Sequence, residues 1–100
     1  MDKNEVITKV KRFRYIISEH LDIKKVLLFG SYAKGTNNED SDIDVAIVVD
    51  NLEDDYFKTT PLLWKLRREI DDRIEPIIFE YNNDKSGFLK EIEKYGIEIN

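Results

Sequence analysis

The run Asp42-Ile43-Asp44-Val45-Ala46-Ile47-Val48-Val49 constrains this chain more than any other segment. Side chains two apart on a strand share a face, so Ile43, Val45, Ile47 and Val49 form an apolar side suited to a core. Asp42, Asp44 and Ala46 share the opposite side, where two carboxylates are followed by a small alanine that leaves room above them. Neighbouring carboxylates repel unless a cation bridges them, and oxygen-only ligation of this kind suits magnesium or manganese. A pair of such ions about 3.5–4 Å apart holds both the attacking and the leaving oxygen of an in-line displacement. An isolated Asp-x-Asp is more often the solvated face of an edge strand, so its context decides the reading.

That context lies just upstream, in Leu27-Leu28-Phe29-Gly30-Ser31-Tyr32-Ala33-Lys34-Gly35. A hydrophobic run that stops at Gly-Ser and turns into a short helix leaves the first amides of that helix pointing outward, where they bind anions. Gly30 has no Cβ, so a phosphate can approach the main chain closely there. The Ser31 hydroxyl can cap the helix or donate to a phosphate oxygen. Gly35 is expected to close the short helix as a left-handed cap, and the polar stretch from Gly35 to Ser41 then borders the site.

The stretch from Leu27 to Val49 resembles the signature of the DNA polymerase β-like nucleotidyltransferase superfamily, and the size of the chain points to the minimal nucleotidyltransferase branch. The signature is an apolar residue, Gly-Ser, a spacer of about ten residues, and Asp-x-Asp between apolar residues; here it is complete. The resemblance implies transfer of a nucleoside monophosphate from a nucleoside triphosphate, with ATP the expected donor, to an acceptor hydroxyl, pyrophosphate leaving. By position, Gly30 and Ser31 would hold the triphosphate, and Asp42 and Asp44 would hold two Mg²⁺ ions, with Mn²⁺ as an alternative. It further implies a separate helical partner of the HEPN class, which in toxin–antitoxin pairs the small transferase neutralises by adenylylation.

The family adds a third carboxylate on a neighbouring strand, which ligates metal and helps deprotonate the acceptor hydroxyl. Ile74-Glu75-Pro76-Ile77-Ile78-Phe79 is the only later strand-like run, and Glu75 lies inside it. Glu75 is therefore the expected third catalytic and metal-ligating residue, with Asp71, Asp72 and Glu80 as competitors. Relatives commonly carry Asp here, and Pro76 removes a ladder donor directly after it. Lys34 stands where the family often shows Arg; it offers a phosphate a point charge without the bidentate fork, and surface lysine is an equal reading.

The remaining pattern is helix, strand, short helix, strand, helix, strand, helix, an α/β (α+β) arrangement with helices against a small mixed sheet. Val6, Val10, Phe13, Ile17 and Leu21 mark a first helix over about residues 3–20. Residues 24–29 are expected to form the first strand, and an acidic connection to start at Asp50-Asn51. Thr60-Pro61 reads as an N-cap followed by proline in the first turn, with Leu62, Leu63, Leu66 and Ile70 buried and Trp64 partly off that stripe. A last helix is expected from Asn82–Asp84, with Phe88, Leu89, Ile92 and Tyr95 on one side and Gly96 as its stop. Ile97-Glu98-Ile99 alternates like a short strand or an interface tail.

One hundred residues are expected to form a single domain, residues 1–100, too small to hold a second module that reads an acceptor. With no cysteine, no thiolate metal site is available. A formal charge of −5 argues against an extended grip on nucleic acid. Nothing resembles a signal peptide or a membrane span, and the expected location is cytoplasmic. Two other functions fit the same residues. One is an idle binding module that silences a partner by contact; retained Asp42, Asp44 and Gly30-Ser31 argue against it. The other is transfer to a small molecule such as an aminoglycoside, which would require an acceptor surface from a homo- or hetero-oligomer.

Overall fold

A computed structural model of the chain describes residues 1–50 and 56–100; the acidic connection expected after Asp50 runs outside them. Helix α1 (Lys3–Ser18) is opened by Asp2, whose carboxylate accepts from the Glu5 amide at 2.8 Å. This satisfies one of the amides that a helix start leaves without a partner. Val6, Val10, Phe13 and Ile17 of its apolar stripe are fully buried. Strand β1 (Lys25–Phe29), helix α2 (Ser31–Lys34) and strand β2 (Ile43–Val49) follow. Then come α3 (Tyr56–Leu66), a 3-10 turn at Arg67–Glu69, β3 (Ile74–Glu80), α4 (Phe88–Tyr95) and β4 (Ile97–Ile99).

The strands form one sheet in the order β3-β2-β1-β4. β1 is antiparallel to both β2 and β4, while β3 is parallel to β2. A parallel neighbour needs a crossover connection, and the segment containing α3 supplies it. The sheet is therefore mixed, with helices on both sides. Pro76 fits because β3 is an edge strand, where a missing ladder donor is tolerated.

One face of the sheet carries the larger core. Ile43, Val45, Ile47 and Val49 of β2 pack there with α1, Tyr32, Leu63 and Ile74, and each such side chain contributes about 1.5–3 kcal/mol by leaving water. On the other face, Leu89 and Ile92 of α4 close over Leu27, Ala46 and Val48. Ala46 is thus not the open floor that its size suggested: it is 0% exposed, and α4 fills the space above it. The accessible part of this face begins at Asp44.

Three local expectations are corrected. α3 begins at Tyr56, and Pro61 lies inside it rather than in its first turn. The helix tolerates the missing amide because Thr59 and Leu63, one turn apart, are both buried. α4 begins at Phe88 rather than near Asn82, with Asp84 acting from outside as acceptor for the Lys90 amide at 3.1 Å. Gly96 does end α4, but in extended backbone. Glycine is required there by space, since a Cβ would meet the Ile92 carbonyl oxygen at 2.6 Å.

Candidate active site

The sheet register sets Phe29, Asp44 and Glu75 in one row across β1, β2 and β3. Neighbouring strands are about 4.7–4.9 Å apart, so directly paired residues on one face come within reach of each other. Asp44 and Glu75 are half-buried in this row, and Asp42 is exposed immediately before β2. The structure thus brings together the two aspartates of the motif and the glutamate expected beside them.

Their electrostatics follow from that crowding. Burial pushes the Asp44 carboxyl above its ordinary value and the charge of Asp42 adds to the rise, while a hydrogen bond accepted from Glu75 offsets part of it. Glu75 is also raised, first by burial and then by the charges of Asp42 and Asp44; Arg67 pulls weakly the other way. Glu75 donates toward both aspartates when it carries the proton. Three acidic groups in mutual repulsion favour either a held proton or a bound cation.

Gly30 closes the site from the other side. It is the N-cap of α2, at φ 74° and ψ −150°, a region open essentially to glycine alone. A Cβ there would land on Oδ2 of Asp44, with Cγ at 3.1 Å, so the turn and the carboxylate occupy adjoining space only because residue 30 has no side chain. Since the cap position falls to Gly30, which has no side chain to cap with, Ser31 is the first helical residue. Gly35 ends α2 in the left-handed conformation that its position suggested, at φ 78°. Lys34 is exposed in the last turn of α2 and lines, with Gly30, Phe29 and Phe88, a cavity of about 340 Å³ between α2 and α4.

The competing carboxylates lie elsewhere. Asp71 accepts from Lys9 Nζ at 2.7 Å and from the Arg73 guanidinium at 3.2 Å. Asp72 is exposed before β3, and Glu80 pairs with Val49 at the far end of the strand. One neighbour of the site was not apparent in the sequence. Arg67 donates to the carbonyl oxygens of Asp72 and Ile74, the second at 3.0 Å, and stacks on Trp64 with its guanidinium carbon 4.3 Å from the ring centre. It therefore fixes the chain entering β3 directly before Glu75. The only sequence signal was the Trp64-to-Arg67 spacing of one helical turn.

Among the described residues, no three acidic or imidazole side chains close into a ready metal cage. The donor set is still the kind that magnesium uses, because that ion keeps several waters and takes only one or two protein carboxylates beside substrate phosphates. No helix among the described residues is long and apolar enough to cross a membrane.

Comparison with known proteins converges on one family. A family model described as polymerase beta, nucleotidyltransferase matches residues 11–100. A protein of Methanocaldococcus jannaschii named putative protein adenylyltransferase is 36% identical over 95% of this chain and 99% of its own. A second protein of that organism, with the same description, is 64% identical over 28% of each chain. The crystal structure of a putative nucleotidyltransferase from Sulfolobus solfataricus has a TM-score of 0.69 to this chain, at 18% identity, covering 96% of this chain and 80% of that one. At that identity the likeness is one of fold.

Proposed function

The chain belongs to the polymerase beta nucleotidyltransferase family and is a nucleotidyltransferase, and from that premise we propose that it moves an adenylyl group from ATP to a hydroxyl on a partner protein. The observation that carries the reading is the opposition of Asp44 to Glu75 beside the glycine turn at Gly30. The relatives named as protein adenylyltransferases support adenylyl as the group and protein as the acceptor class. The resemblance of Leu27–Val49 adds a helical HEPN-type protein as the partner, in a toxin–antitoxin setting.

In this reading, Asp42, Asp44 and Glu75 would hold Mg²⁺, or Mn²⁺ in its place. Divalent ions bound there would supply the positive charge that offsets the phosphates and steadies the attacking and leaving oxygens. The turn at Gly30-Ser31 receives the triphosphate through main-chain amides, and Lys34 adds a point charge at its edge. Ionised Glu75 accepts the proton of the incoming hydroxyl. The acceptor oxygen bonds to the α-phosphorus, the bond from that phosphorus to the bridging oxygen breaks, and pyrophosphate leaves.

The test is incubation with α-labelled ATP and Mg²⁺, with and without a co-purified helical partner, followed by intact-mass measurement. A gain of one AMP on the partner is the expected result. A gain of one phosphoryl group in place of AMP, with no α-label on the partner, would point to phosphorylation and overturn the assignment.

A further inference from the structure

The proposed transfer leaves one feature beside the site unused, the cavity of about 340 Å³ between α2 and α4. Its size lies at the lower end of the range for small-ligand sites, about 300–1,000 Å³. Its walls are largely aromatic and apolar, with Phe29 at the end of β1 and Phe88 and Tyr95 on α4. Phe88 is 46% and Tyr95 54% exposed, although both fall on the side of α4 that the sequence pattern assigns to the core. Phe88 meets the Phe29 ring edge-on, with centroids 6.0 Å apart. Phe88 also meets Phe79 edge-on at 5.7 Å and Lys94 Nζ lies 5.3 Å from the centre of the Tyr95 ring; the exposed remainder of both rings offers stacking surface.

Resting on the nucleotidyltransfer reading, we propose that this cavity is the nucleobase subsite, receiving the purine ring of the same nucleotide whose triphosphate lies at the Gly30 turn. Two observations select this occupant. Gly30 and Lys34 line the cavity as well as the turn, so the cavity adjoins the turn and one nucleotide can reach both. Glu91 is the acidic group in the cavity wall, and its charge opposes phosphate there while leaving a neutral ring unhindered. The acceptor is excluded by position. Its hydroxyl must reach Glu75 on β3, whereas the cavity opens beyond Phe29, at the other end of the row Phe29, Asp44, Glu75.

Base-on-aromatic stacking is tolerant of sequence and is worth about 1–3 kcal/mol per base, where about 1.4 kcal/mol is tenfold in affinity. Stacking area rather than a hydrogen-bond pattern would then set the preference, placing ATP above the pyrimidine nucleotides CTP and UTP.

The experiment compares ATP, CTP and inorganic tripolyphosphate, each with Mg²⁺, by titration calorimetry on the full chain. Wild-type protein should bind ATP about tenfold more tightly than tripolyphosphate, with CTP between them. Tyr95→Ala, and separately Phe88→Leu, should remove most of the advantage of ATP while leaving tripolyphosphate within twofold, which also shows that the variants are folded. ATP binding no tighter than tripolyphosphate in the wild type, or an ATP advantage untouched in both variants, overturns the subsite alone. Wild-type protein that binds neither ligand overturns the nucleotidyltransfer reading and the subsite with it.

Discussion

Asp44 is squeezed from two directions, by Glu75 across the ladder and by Gly30 at the mouth of α2. Replacement by Asn keeps its shape and removes the charge that burial and Asp42 disfavour. Asp44→Asn is therefore expected to fold, to melt no lower than the wild type, and to lose transfer; Asp42→Asn should behave alike in activity. Unfolding of both variants in a thermal melt would make these carboxylates structural instead. Glu75→Gln leaves Asp42 and Asp44 to hold the cation that ATP needs, so it should slow transfer by about 10²–10⁴, the usual general-base contribution, with ATP binding largely retained; an unslowed variant would remove Glu75 from the chemistry. Gly30→Ala faces both a left-handed φ and the Asp44 carboxylate, and should cost about 1–3 kcal/mol of stability. Combining it with Asp44→Ala should restore part of that loss, measurable as a partial recovery in denaturant midpoint. The motif residues were legible because a turn and a strand are local. Glu75 was reached through the resemblance, which implies a carboxylate on a neighbouring strand, and the register places it opposite Asp44. Arg67 was not, since its partners Asp72 and Ile74 meet it only when the turn folds back.

Among the elements, the junction of α1 with the segment entering β3 is fixed by charge, through the pair of Lys9 with Asp71 at 2.7 Å. Burial alone would raise the Asp71 carboxyl, but hydrogen bonds from Arg73 and Lys9 prevail and hold it well below the ordinary aspartate value of 3.8. A group whose folded pKa is depressed stabilises the protein above its unfolded pKa, and that contribution fades as the pH falls toward the folded value. Asp71→Asn should thus lower stability by about 2 kcal/mol near neutral pH, the scale of hydrogen bonds to a charged group. The gap from wild type should shrink as the pH falls below about 4, which melts at stepped pH would reveal; a gap that widens toward acid contradicts the assignment. Sequence reasoning found the α-helices and the first three strands described here, left Ile97–Ile99 open between a short strand and an interface tail where the structure has β4, and misplaced the starts of α3 and α4. Both misses have the same cause. Local signals at Thr60-Pro61 and Asn82–Asp84 yielded to packing, through Thr59 and Leu63 in α3 and through Leu89 and Ile92 in α4. The exposure of Phe88 and Tyr95 was hidden for the related reason that periodicity cannot show how far a short helix sinks onto its sheet.

For the molecule as a whole, the decisive quantity is charge. The chain carries a net −5, and the proposed site sets Asp42, Asp44 and Glu75 beside the turn meant for a triphosphate. Without a cation, ligand and site repel at short range, where salt screens poorly once groups are partly buried. Binding of ATP should therefore depend on Mg²⁺ or Mn²⁺, and the dependence should vanish when the repulsion does. Titration calorimetry with ATP is expected to give clear binding with Mg²⁺ and little after chelation. In Asp42→Asn/Asp44→Asn, binding in chelator should rise relative to wild type while the gain from Mg²⁺ falls. The two halves of that result separate electrostatics from simple damage, because a damaged turn would weaken binding in both conditions. Equal binding by the wild type with and without metal would show that the carboxylates do not face the phosphates, and the two-ion reading of this site would then be wrong.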